Sequence, residues 1–120
     1  MPNTMSNEEV ARYVDLDSAL ERLRGNTNLY KRMLGLFVQS EEFAAFEKAV
    51  EDADDIRASD VMHGIKGIAG NLSLTALYEI STILTVDFKK GTADPQMVED
   101  YRGILVNTKI CVEDIIAKLN

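Results

Sequence analysis

Apolar residues return at steps of three and four along almost the whole chain, and that period confines it to helices. We find no convincing run of the period-two alternation that a half-buried strand would carry. Only two prolines occur, Pro2 and Pro95, and both stand where a helix has not begun or is just beginning. Breaks fall at Gly25-Asn26, Ala53-Asp54-Asp55, Leu72-Ser73 and Gly91-Thr92-Ala93-Asp94-Pro95. Between them the spacing predicts a short helix over about Asp17–Arg24, capped by Asp17 or Asp15 with Gly25 past its end. A second follows from near Asn28 to Asp52, with Leu29, Met33, Leu36, Phe37, Phe43, Phe46 and Val50 as its inward stripe. A third is expected over Asp55–Leu72, and a fourth over Leu74–Lys90 with Leu77, Ile80, Ile83, Leu84 and Phe88 inward. The last opens at Asp94 as cap and Pro95 as first helical residue. It carries Val98, Tyr101, Leu105, Ile110, Val112, Ile115, Ile116 and Leu119 to the end of the chain. Four long helices with short connections are expected to pack as an all-α, antiparallel, up-down four-helix bundle, with a short extra N-terminal helix over one end. Residues 1–13 are expected to be an N-terminal tail and 14–120 the bundle.

A length of 120 residues suits one domain. The formal net charge is −7, and no cluster of Lys and Arg offers a track for phosphate backbones, so nucleic acid is not an expected partner. No stretch reaches the roughly 18 apolar residues of a membrane span, and the polar first ten residues hold no signal core. The lone Cys111 cannot close an internal disulfide. Together these point to an acidic cytoplasmic domain away from membranes, with no evident reason to dimerise.

The third helix carries the only histidine. With His63 at 0° and about 100° per residue, Ala58, Val61, Met62, Ile65, Ile68, Ala69 and Leu72 form a core stripe on the opposite side. Ser59, Asp60, Lys66, Gly67 and Gly70 lie within about 60° of the imidazole. His63 is therefore expected to face solvent from the middle of the polar face. Position alone leaves an idle surface histidine open. Its company argues for chemistry. Lys66 and Gly67 stand at i+3 and i+4, one turn away, where an ammonium can neutralise a phosphoryl group and a missing side chain leaves room for another backbone. Each mid-helix glycine costs roughly 0.5–1 kcal/mol against alanine, and Gly64, Gly67 and Gly70 fall within one helix. Gly67 and Gly70 are expected on the solvent side, where no tight internal packing calls for them. A neutral imidazole can attack phosphorus through its free nitrogen, and phosphoryl transfer asks mainly for positioning and charge neutralisation. There is no glycine-rich phosphate loop and no convergent set of metal ligands, so any catalytic machinery must come from a partner.

These residues resemble the histidine phosphotransfer (HPt) domains of phosphorelays. The run His63-Gly64-Ile65-Lys66-Gly67 with Asn71-Leu72 downstream is similar to the family's His-x-Leu-Lys-Gly signature and its Asn-Leu. Upstream, Val14 to Leu20, Gly25-Asn26, Leu29-Tyr30, Leu34 and Phe37 resemble the entry to its bundle. The resemblance implies that His63 is phosphorylated on Nε2, that Lys66 steadies the phosphoryl group and that Gly67 admits the partner. That partner would be a response-regulator receiver domain, free or in a hybrid sensor kinase. It would supply the aspartate and Mg²⁺, so no intrinsic cofactor or metal is implied. Ser59, Asp60, Gly64, Gly70 and Thr85 are the candidate surrounding residues. Three positions depart from the pattern. Gly64 follows the histidine, where members carry a bulkier residue. Ser73 replaces a frequent glycine and is expected to cap the next helix. Thr85 stands where many members place a Gln or Glu that orients the imidazole, with Gln39 as a substitute. Two other readings share these features: a domain phosphorylated directly by a linked kinase, and a helical bundle that only binds.

Overall fold

The computed structural model describes residues 6–119, so Pro2 and the rest of 1–5 lie outside it. Among the described residues there are seven helices and no strand: α1 (Asn7–Tyr13), α2 (Leu16–Arg22), α3 (Thr27–Val38), α4 (Glu42–Glu51), α5 (Asp55–Leu72), α6 (Thr75–Lys90) and α7 (Pro95–Lys118). The all-α expectation holds. None of these helices is long and apolar enough to cross a membrane.

Two stretches differ from what the periodicity predicts. Residues 7–13, expected as tail, form α1 behind a capping box in which Ser6 Oγ accepts from Glu9 N–H and the Glu9 carboxylate accepts from Ser6 N–H. Tyr13 holds this helix down, for it is buried and its hydroxyl accepts from Asn107 Nδ2 of α7 at 3.0 Å. The expected helix from Asn28 to Asp52 is two helices. Its turn closes at Ser40, whose N–H donates to Phe37 O while its Oγ accepts from Glu42 N–H. The apolar rhythm survives the break because the Phe37 and Phe43 rings meet edge to face, centroids 5.3 Å apart. The inward face of α3 is nonetheless rotated from the expected stripe. Tyr30, Leu34 and Phe37 are buried, whereas Leu29 and Leu36 are exposed. On α6, Ile83 is likewise exposed, while Leu77, Ile80, Leu84 and Phe88 are buried as expected.

The remaining boundaries follow local chemistry. Asp15 caps α2 through Ser18 N–H. Asp54 caps α5 through Arg57 N–H at 3.1 Å. Asp94 caps α7 through Gln96 N–H, with Pro95 at its start. The end of α5 corrects one expectation. Ser73 does not cap α6; it closes α5 in the left-handed conformation (φ 59°, ψ 40°), and Leu74 N–H reaches back to Ala69 O. Its hydroxyl accepts from Arg22, whose other nitrogen donates to Gly70 O at 2.9 Å. A cation on α2 thus meets the negative end of α5.

The core is one cluster drawn from all seven helices. Phe46 sits at its centre, edge to face with Phe88 and Tyr101 at 5.6 and 5.0 Å. Helix α5 packs along α6 and α4, α6 packs along α7, and α3 touches both α7 and α5. The pairings of Ser59 with Thr85 and of Gly70 with Tyr78 show that α5 and α6 run antiparallel.

Candidate functional site

Helix α5 is seated by Ala58, Met62, Ile65 and Ala69, all fully buried. Their spacing fixes its rotation and turns His63 outward, as expected. The imidazole is exposed and makes no hydrogen bond or ion pair to any described residue. It stands on the rim of a shallow depression of about 170 Å³, lined by Ile56, Ser59, Asp60, His63, Thr85 and Lys89. The floor of the site is therefore α5, and its wall is α6.

The other expected site residues divide into those the surface presents and those the packing uses. Asp60 is exposed on the rim. Gly67 is exposed, and a Cβ added there would meet no atom within 4 Å. Lys66 is partly buried, with Nζ 5.9 Å from the centroid of the Tyr78 ring. Ser59, by contrast, is not part of an open polar face. It is 5% exposed, and its hydroxyl donates to Thr85 O at 2.7 Å. This bond staples α5 to α6 one turn before His63.

Thr85 lies beside His63, yet its hydroxyl donates to Ser81 O on its own helix at 2.7 Å, so it does not orient the imidazole by that proton. Gln39 is exposed and does not line the depression. Packing closes over two of the glycines, and for Gly70 this corrects the expected open solvent side. A Cβ on Gly64 would lie 3.2 Å from the Glu42 carboxylate, and one on Gly70 would lie 3.2 and 3.3 Å from two atoms of the Tyr78 ring. Gly70 is thus a seat for an aromatic ring rather than bare solvent surface.

Sequence reasoning missed two residues. Lys89, in the last turn of α6, brings a cation to the depression of His63, whose lining does not include Lys66. Tyr78 reaches both Gly70 and Lys66. Both belong to α6, and the signal for them is the antiparallel register. Once Ser59 is opposite Thr85, Lys66 comes opposite Tyr78, and Lys89 lies one turn beyond Thr85.

Chemically, the arrangement offers an unencumbered imidazole, Lys89 on the lining of its depression, Lys66 one turn along the helix and a gap at Gly67. An incoming electrophile bearing negative charge can reach the ring without displacing any side chain bonded to it. Among the described residues no three His, Cys, Asp or Glu side chains converge to hold a metal ion. No family model, curated protein or solved structure matches the chain.

Proposed function

We propose that the chain is a histidine phosphotransfer module that accepts a phosphoryl group on His63 from a receiver aspartate and passes it to another receiver. In this reading α3 with α4, α5, α6 and α7 are the arms of an antiparallel four-helix bundle, and α1 and α2 cover one end. The contacts of α5 with α6, α6 with α7, α7 with α3 and α4 with α5 support that arrangement. The observation that carries the functional reading is the exposure of His63 at mid-helix, with Lys66 one turn on and open space at Gly67.

The transfer balances simply. The lone pair of His63 Nε2 forms the N–P bond as the P–O bond to the receiver aspartate breaks, and that bond's electron pair stays on the carboxylate. Nδ1 keeps its proton. The receiver brings the Mg²⁺ that shields the charge in flight, and the chain contributes the nucleophile, Lys66 as counter-charge and room at Gly67. The module has no ATP chemistry of its own and acts as a carrier.

The test is labelling by a phosphorylated receiver domain from the same organism, with wild type and His63→Gln side by side. We expect acid-labile label on the wild type and none on the variant, both equally helical by circular dichroism. Equal labelling of the variant would remove His63 from the chemistry. A folded wild type that no native receiver labels would leave a binding-only bundle.

A further inference from the structure

Lys66 is the cation expected to meet the phosphoryl group, yet the partner it has here lies elsewhere. Its ammonium stands 5.9 Å from the centroid of Tyr78. That ring lies against Gly70, close enough that a Cβ there would come within 3.2 Å of it. Gly70 is seven residues past His63, about 10 Å further along the axis of α5. The ring therefore draws the lysine toward the C-terminal end of the helix, away from the imidazole. No ion pair to any described carboxylate competes for it.

We propose that Tyr78 is a positioning residue that parks the Lys66 ammonium on the Gly70 side of α5, and so sets how firmly phosphorylated His63 is held. The inference rests on the carrier reading above. A phosphoryl group carries close to two negative charges, enough to pull the ammonium off the ring. The loss of the ring contact is subtracted from the gain at the phosphoryl group. A carrier must release what it accepts, and the parked lysine keeps the phosphohistidine from becoming a sink. Gly70 is what lets the ring sit low enough to do this.

Two measurements test it. In the first, His63 is phosphorylated chemically with phosphoramidate, which requires no receiver, and the Lys66 Cε protons are followed by NMR. We expect an upfield ring-current shift in the free protein that disappears on phosphorylation. It should be present in free Tyr78→Phe and absent in free Tyr78→Leu. In the second, the transfer equilibrium with a phosphorylated receiver is compared across variants. Tyr78→Leu should move it toward phosphohistidine by about two- to fivefold, the range of an exposed cation–π contact, and Tyr78→Phe should leave it unchanged. In a Lys66→Ala background Tyr78→Leu should have no effect, since a residue acting only through Lys66 has nothing left to act on.

The inference is overturned by a Lys66 signal that phosphorylation does not move. It is also overturned by a Tyr78→Leu effect that persists without Lys66, or by an equilibrium that Tyr78→Leu leaves unchanged when the wild type is labelled. A wild type that accepts phosphoryl from phosphoramidate and from no receiver overturns the carrier reading instead.

Discussion

Gly67→Ala separates what the glycine costs the fold from what it gives the surface. It lies inside α5 with no atom within 4 Å of where a Cβ would stand, so a methyl group meets nothing. Alanine removes excess freedom from the unfolded chain and restores helix propensity, together about 0.5–1 kcal/mol. For a chain of 120 residues that raises Tm by about 2–4 °C. Gly103→Ala in α7 is the matched control, because it too is exposed and has open space around it. Urea unfolding should give the two variants similar gains in midpoint with an unchanged slope. Gly64→Ala should gain less, since the Glu42 carboxylate must step aside, and Gly70→Ala should gain nothing, since the tyrosine ring is in the way. In transfer from a receiver the pair should part: Gly103→Ala at the wild-type rate, Gly67→Ala slower, and Gly67→Gln slower still. A loss of stability in Gly67→Ala, or a gain in Gly70→Ala as large as its own, would refute the reading of space around α5. Equal transfer rates for Gly67→Gln and Gly103→Ala would refute the role given to the gap.

Lys66→Ala should slow transfer or shorten the phosphohistidine lifetime by about tenfold, the weight of one charge-assisted contact, as read by loss of acid-labile label. Tyr30→Phe should cost about 1–3 kcal/mol in urea unfolding, because the buried Tyr30 hydroxyl donates to Leu72 O at 2.8 Å and its loss strands that carbonyl. Stability should fall from about pH 9 upward. Burial pushes Tyr30 up to about 12 and the Cys111 thiol up to about 11, the latter helped by Asp114 and Glu9, and Tyr101 higher still. The unfolded chain thus loses these protons first, so each group withdraws up to about 1.4 kcal/mol per pH unit between its unfolded and folded values. A flat profile from pH 8 to 11 would contradict that burial. Cys111, fully buried, should react with iodoacetamide only after unfolding.

The helices whose ends carry their own chemistry were legible. Asp94-Pro95 marks the start of α7, and the stripe Ala58, Met62, Ile65, Ala69 sets both the extent of α5 and the outward aim of His63. The break between α3 and α4 was hidden, because Phe37 and Phe43 keep one apolar face across it and a Ser40 hydroxyl is all that marks the turn. Helix α1 was hidden by polarity, with Val10 and Tyr13 its only large apolar anchors. Ser59 and Gly70 were misplaced for a different reason. A helical wheel assigns each an angle but says nothing of which neighbour closes over that flank, and α6 covers the edge of the polar face where both lie. Lys89 and Tyr78 were missed for the same cause, since they reach the site only through the pairing of two helices.

From Ile56 to Lys89, the residues that line the depression of His63 belong to one hairpin, α5 and α6, closed by the two residues Ser73 and Leu74. Such a hairpin is built from contacts close in sequence, and local contacts form quickly. Folding can therefore assemble the histidine's immediate surroundings as soon as these two helices meet, with α7 and the N-terminal helices closing over their other faces. Substitutions on α1 or α2 should change how long the folded chain lasts while leaving the order of events at the hairpin untouched.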